Sequence, residues 1–451
     1  MKKIFSVAIL FSVAFAATAQ HEHHEPAKKE VKKDTIPAKH EQHHAGMQHN
    51  DDMMSHSFSR NLPMNRNSSG TAWLPDEAPM YGYMLHSKKW MFMLHGGAWL
   101  RYNNQDISRA GSRGDSKFDA PNWFMGMGQT RVGKRGLFRF SAMFSLDPLT
   151  VGGNGYPLLF QSGETYKGQP LVDRQHPHDL FAELSVGYTH MLNRDMDVFV
   201  YLGYPGEPAI SAPTFMHRPS SMYNPDAPLG HHWQDATHIT FGVATAGIRY
   251  KNFKLEGSSF TGREPDEDRY NFDKARFDSW SGRLSYNPSK EWALQVSHGY
   301  IKSPEPLHPG EDVHRTTASA VHAKRFGKDR MLNSAAVWGY NYVDEHHKEH
   351  SFLLESAYSF KKNAIYGRYE LLEKSAEELN LDEQEYGHDA LFKVNALTAG
   401  LHRQLFSFGK LNVGAGTQAT LYIADDQLKQ LYGKTPWAFQ VYLRVYPGLM
   451  R

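Results

Sequence analysis

Sixteen short stretches of alternating apolar and polar residues, joined by connections that switch between short and long, constrain this chain more than any other feature. The short joins fall at 132–135, 191–194, 251–252, 288–289, 327–329, 361–362 and 407–409. Long ones, such as 103–120, 147–178 and 206–234, lie between them. An even strand number with short turns at one end and long loops at the other is the layout of a transmembrane β-barrel. The predicted fold is all-β: an antiparallel up-and-down transmembrane β-barrel of about 16 strands over residues 89–451. Its strands are read as 89–102, 121–131, 136–146, 179–190, 195–205, 236–250, 253–261, 277–287, 290–301, 313–326, 330–342, 349–360, 363–373, 391–406, 410–423 and 436–447.

The alternation also assigns faces. In the first strand Trp90, Phe92, Leu94 and Leu100 oppose Met91, His95 and Arg101. In the last, Trp437, Phe439, Val441, Leu443 and Val445 oppose Gln440 and Arg444. The apolar face must meet lipid, because a charge there costs about 2–4 kcal/mol at mid-depth. His95, Arg101, Glu183, Arg283, Glu355, Arg368 and Glu370 are then predicted to line a water-filled lumen. A soluble sandwich would need dry inner faces, and these mid-strand charges argue against one. In the sixth strand Ile239, Phe241 and Val243 are read as lipid-facing, with His238 and Thr240 inward.

The chain opens Met1-Lys2-Lys3, runs apolar to Ala17 and reaches Ala17-Thr18-Ala19, which reads as a secretory signal peptide over 1–19. The absence of cysteine removes disulfides, thiolate metal sites, cysteine nucleophiles and lipoprotein anchoring. No window approaches about 18 consecutive apolar residues, so no transmembrane helix is expected. Mean hydropathy is −0.59, which a barrel with only alternate residues in lipid also gives. A net charge of +2 offers no case for a nucleic-acid partner. The expected setting is a Gram-negative outer membrane, short turns and tail periplasmic and long loops extracellular, with membrane lipid and the barrel-assembly machinery as partners. Sixteen-stranded porins are often trimers, so a homotrimer is the assembly to look for.

Residues 20–60 hold His21, His23, His24, His40, His43, His44, His49 and His56, with Met47, Met53 and Met54. Such a tract is expected to be a disordered tail that binds metal, followed by a connector over 61–88. Copper or zinc ions suit it, and no organic cofactor is expected. If processing follows Gln20, the start His21-Glu22-His23 would offer a square-planar site of the kind Cu(II) and Ni(II) prefer. About 60 residues precede the first strand, too few and too polar for a plug domain.

The Pro-rich loop 206–234 is long enough either to fold into the mouth as a constriction or to lie over the rim. His176, His178 and Asp179 lead into the fourth strand, and His231, His232, Asp235 and His238 into the sixth; His217 lies in the loop between. Loop folding could gather them as an ion site, or as a clamp in which the rings brace backbone carbonyls. The run Gly262-Arg263-Glu264-Pro265-Asp266-Glu267-Asp268-Arg269 could collect cations or bind Ca(II); with no EF-hand spacing it reads first as a solvated charge run.

The phrases Asp173-Arg174-Gln175-His176-Pro177-His178-Asp179-Leu180-Phe181, Phe215-Met216-His217-Arg218-Pro219-Ser220 and His231-His232-Trp233-Gln234-Asp235-Ala236-Thr237-His238-Ile239-Thr240-Phe241-Gly242 resemble a family of bacterial outer-membrane proteins associated with heavy-metal, particularly copper, resistance. A His/Met-rich tail on a barrel is also similar in layout to the copper-resistance B outer-membrane proteins, and the Ala-Thr-Ala-Gln signal ending looks like those of Bacteroidota. Sixteen strands normally enclose an aqueous channel, so a porin-like channel and not an enzyme is expected, linked by the tail to copper or zinc and by the resemblance to copper. A lipid hydrolase or acyl-modifying barrel is the alternative; Ser220, His217 and Asp226 are close in sequence but no nucleophile elbow frames them. A non-conducting metal-binding or structural surface barrel is the third reading.

Overall fold

The structure is a computed structural model that describes residues 59–307, 309–343, 348–387 and 390–450. The predicted signal peptide and the metal-ligand candidates of the tail, His21 to His56, lie outside the described residues. Sixteen long strands form the wall: β1 (Trp90–Asn104), β2 (Asn122–Val132), β3 (Gly136–Phe144), β4 (Phe181–Met191), β5 (Met196–Gly203), β6 (Val243–Tyr250), β7 (Phe253–Phe260), β8 (Ser279–Ser289), β9 (Trp292–Ile301), β10 (Val313–Arg325), β11 (Arg330–Val343), β12 (Lys348–Phe360), β13 (Asn363–Ser375), β14 (Leu391–Phe408), β15 (Leu411–Ala424) and β16 (Trp437–Pro447). Each pairs antiparallel with the next, and β1 closes on β16, Ala98 facing Val445 and Asn104 facing Phe439. Closure leaves no unpaired edge, which backbone in lipid requires.

The outer face is a belt of exposed apolar side chains, among them Leu94, Leu202, Leu255, Val296, Leu354, Leu397 and Leu443. Aromatic groups gather toward both rims, as in the stacked Phe253–Tyr286 pair beside a short turn and the tilted Tyr300–His314 pair near the long loops. Interfacial aromatic girdles of this kind are usual for barrels in membranes.

The lumen is filled. The polar inner face meets protein, not the aqueous channel that alternation alone suggested. The backbone of residues 205–241 crosses the interior and bonds to strands around the wall. Ala209 N donates to Ser258 on β7 at 2.7 Å, and Ser211 N to Ser297 on β9 at 2.9 Å. Leu229 N donates to Glu370 on β13 at 2.6 Å, and Tyr223 O accepts from Tyr442 on β16 at 2.7 Å. A segment lying over the rim could not reach strands so widely spread around the wall.

The connector closes the short-turn end. Arg60 and Asn61 donate to the turn carbonyls of Lys134 and Asn193 at 2.8 and 3.3 Å, and Glu77 N donates to Lys290 O at 2.9 Å. Its middle enters the lumen, where Gly70 O accepts from Arg139 and Thr71 from Arg283. Ser69 and Thr214 join connector and loop at 3.3 Å. A short polar segment serves as a plug here because the wall supplies polar partners for it.

The sixth strand also differs from the reading. It begins at Val243, and residues 231–238 form short helical turns. Ile239, Phe241 and Val243 are buried, not lipid-facing. Their alternation marks a segment sandwiched inside the barrel, which gives the same pattern as a half-buried strand. Gly339 on β11 makes room for it: a Cβ there would lie 2.4 Å from Trp233 O.

Candidate metal centre and the filled lumen

The inward charges predicted at the lumen hold the loop. Arg101 pairs with Asp119 on its own sheet at 2.6 Å and with Asp226 of the loop at 2.5 Å. Arg283 pairs with Glu256 at 3.0 Å and donates to Ser211 O at 3.1 Å. Arg368 bonds Glu355 at 3.1 Å and Asp226 O at 3.0 Å. Glu183 accepts from Tyr201 at 3.2 Å and from Ser185. Buried charge is tolerated only when paired and hydrogen-bonded, and Arg101, Arg283 and Arg368 meet that condition, whereas Glu183 is hydrogen-bonded within the wall.

At the long-loop end the structure gathers His176, His178, His231, His232 and His238. Ring centroids are 6.0 Å apart for His176–His231, 5.7 Å for His176–His232, 5.6 Å for His178–His238 and 5.1 Å for His231–His238. The short helix His231–Gln234 and the turn Ala236–His238 present three of these rings; the approach to β4 presents the other two. Phe215 packs edge-on to His231 at 5.6 Å and lies 6.4 Å from His178. Gly163 lets the loop before β4 close over the group, because a Cβ there would lie 2.2 Å from the His232 ring.

Four of the five Nδ1 atoms in the cluster have a partner oxygen, while that of His232 lies near Glu264 without a hydrogen bond. His178 meets Asp147 at 2.8 Å, His231 meets Asp235 at 2.5 Å, and His238 meets Asp235 O at 3.0 Å. His176 meets Glu164 at 3.1 Å and His232 meets Glu264 at 3.4 Å. These contacts brace the loops, and four of the five partners are carboxylates where the clamp reading expected backbone carbonyls. They also fix ring orientation in the manner of histidines that ligate metal through the other nitrogen. Nε2 of His176, His232 and His238 is buried without a hydrogen-bond partner.

The electrostatics follow from burial. His176 and His238 are held well below the ordinary histidine range by desolvation, so both are neutral imidazoles at pH 7. Burial also raises the Asp235 carboxyl, but His231 and Arg218 outweigh it and hold the group at about 2. Burial pushes Glu164 up to about 8 against the pull of Arg269. His232 and Glu264 behave as an ion pair: burial opposes it, yet their mutual attraction raises the imidazole and lowers the carboxyl.

Beside this cluster His232, Glu264 and Glu305 bring donor atoms within 4.8 Å of one another, the one such triple among the described residues. They line a cavity of about 110 Å³ that also receives Glu164, Glu349 and Glu378, with Arg315 as a cation on its wall. Glu264 is buried, so the charge run 262–269 is not simply solvated.

Some expected members lie elsewhere. Asp179 pairs with Arg269 at 3.5 Å. His217 packs against Trp123 and His95, with centroids 4.9 and 5.6 Å away, in a different part of the lumen. Ser220 donates to Glu355 at 2.8 Å and Asp226 binds Arg101, so those two and His217 each have other partners. Asp147, Glu164 and Glu305 were missed from sequence. The charge run was the one available pointer to Glu264.

Fold and site together define a sixteen-stranded membrane-type β-barrel with an in-folded loop, the architecture of porins. Compared with protein-family models and with curated proteins, the sequence matches none. Among solved structures it is similar to Salmonella typhi OmpF in complex with daunomycin, at 11% identity and a TM-score of 0.50, over 81% of this chain and 100% of that one. Pseudomonas putida OprB aligns at 12% identity and 0.47, over 80% and 94%. An anion-selective porin from Comamonas acidovorans aligns at 10% and 0.46, over 80% and 99%. At these identities the likeness concerns the fold.

Proposed function

We propose that this chain is a porin-like barrel of the outer membrane that handles transition-metal ions, copper or zinc, through a closed, ligand-lined lumen. The lipid belt, closed sheet and porin architecture support the location. The resemblance of the three motifs supports the metal. In this reading the short turns and the plug face the periplasm, where the His-rich tail collects ions, and the long loops face outward. The observation that carries it is the His232, Glu264 and Glu305 triple, whose donor atoms lie within 4.8 Å of one another, beside a histidine cluster in which Nε2 of His176, His232 and His238 is buried without a partner. Imidazole with carboxylate suits Cu(II) and Zn(II).

The test is metal stoichiometry of the refolded full chain under Zn(II) and Cu(II), against a variant carrying H176Q, H231Q, H232Q and H238Q and against a deletion of residues 20–58. The deletion stops short of Ser59 because Arg60 and Asn61 belong to the plug. The expected result is that the tail and the cluster each account for bound metal, and that each change lowers cellular metal tolerance. Unchanged stoichiometry in the four-histidine variant would leave the cluster a loop clamp and overturn the reading.

A further inference from the structure

The inner face of β1–β3 carries a second ligand set that differs chemically from the histidine cluster. Register places His95 opposite Met125, and Met125 opposite Met143, in one cross-strand row. Met93 stands opposite Met127 in the next row. Side chains in such rows are direct neighbours, about 4.5–5.5 Å apart at Cβ. Met93, Met125, Met127 and Met143 are buried in one cluster with Trp123.

The in-folded loop faces this wall with Met216 and His217, and the plug brings Met80. Together they line a cavity of about 120 Å³. The His95 and His217 rings are 5.6 Å apart and both lean on Trp123. Methionine is a common gap-filler in cores. A gap-filling role does not call for two imidazoles among the thioethers; two cations line the wall, Arg444 and Arg218, the latter paired with Asp235 and Glu355.

We infer that this Met/His cavity is a binding site for a soft monovalent cation, Cu(I) or its stable surrogate Ag(I). Thioether sulfur selects such ions, whereas Zn(II) and Cu(II) favour imidazole and carboxylate. Met93 and Met125 from the wall, Met216 from the loop and an imidazole from His95 or His217 are the donors. An ion held there ties the loop to the wall, so occupancy stabilises the filled lumen.

The experiment is titration of the refolded full chain with Ag(I) in chloride-free buffer, read by methyl resonances of [13C-methyl]methionine. Resonances are assigned by single Met→Leu changes, and bound silver is counted by mass spectrometry. Leucine keeps the volume of methionine and normally costs under about 1.5 kcal/mol, so the barrel stays folded while the sulfur is lost. The expected result is saturable shifts of the Met93, Met125 and Met216 methyls, and loss of one silver equivalent in the M93L/M125L/M216L variant. The resonances of Met47, Met53 and Met54 report the tail separately. Shifts confined to the tail, or full silver binding by the triple variant, would overturn the inference. The site rests on none of the five clustered histidines. A failure with Ag(I) and a failure with Zn(II) are therefore distinguishable.

Discussion

Replacing Arg218 by methionine should open the barrel. Arg218 is fully buried on the in-folded loop; its Nε donates to Glu355 at 2.8 Å and its Nη1 to Asp235 at 2.9 Å and to Pro213 O at 3.0 Å. Removing one member of a buried ion pair costs roughly 3–5 kcal/mol, because the partner stays buried without its counter-charge. Glu355 keeps Arg368 and Ser220, which places the cost at the lower end, about 3 kcal/mol. That cost falls on the docked loop alone, since an undocked loop leaves Glu355 facing water. Docking should weaken by roughly a hundredfold, at about 1.4 kcal/mol per tenfold. The assay is single-channel current in a planar bilayer for the refolded wild-type and Arg218→Met chains. Lys324→Met, which breaks a half-exposed pair with Glu291, is the control. Heat-modifiable migration on gels confirms that each barrel is folded. Wild type and control should stay closed, and Arg218→Met should show long open events. A folded, silent Arg218→Met barrel would refute the view that this loop closes the lumen.

Two more predictions follow from the same packing. Burial holds the His217 imidazole down to about 4, against an ordinary value near 6.5. The unfolded chain therefore takes up the proton first: stability is complete above about pH 6.5 and is lost as pH falls toward about 4, by roughly 3 kcal/mol in all. Hydrogen exchange of residues 214–224 in metal-free protein should speed up over that window, and His217→Gln should flatten the response; an unchanged profile would show that His217 does not govern it. Gly339→Ala would put a methyl 2.4 Å from Trp233 O. It should destabilise the 231–238 turns by about 1–3 kcal/mol, read as faster exchange there with the strand ladder intact; protection equal to wild type would mean the backbone yields at no cost.

The wall was legible because each strand writes its own period into the sequence, with Trp437, Val441, Leu443 and Val445 facing out and Gln440 and Arg444 in. All sixteen strands appear at the expected places, and only the start of the sixth moved by several residues. What the inward residues meet was not legible. Arg101, Glu355 and Arg368 look the same in sequence whether water or a loop neutralises them. The histidine cluster was readable in part, because its two groups flank strands four and six with one strand between. Its carboxylates were not, because Asp147, Glu164 and Glu305 come from loops that carry no period. The methionines at 93, 125, 127 and 143 carry no signal of a site in the sequence, because hydropathy counts a thioether as apolar and ignores its affinity for soft ions.

The two ligand sets meet at one turn of the loop, and this makes the loop's docking testable from both sides. Phe215 packs against the rings of His178 and His231, while the next two residues, Met216 and His217, face the methionine cavity. A small cavity of about 40 Å³ lies between, lined by Trp123, Asp147, His178, Phe215 and Met216. Donors thus change along the lumen from thioether to imidazole to carboxylate, with Glu264 and Glu305 at the long-loop end. Because the Phe215–His217 turn contributes to both sets, a change that frees the loop must weaken both. Arg218→Leu, which breaks the same ion pairs and adds no thioether to the cavity that Arg218 lines, should therefore lower Ag(I) and Zn(II) binding together, whereas the methionine and histidine variants should each lower one. If Arg218→Leu opened the barrel yet left both metals bound as in wild type, the loop would be a lid over sites built by the wall alone, and Met216 and His217 would lose their assigned part.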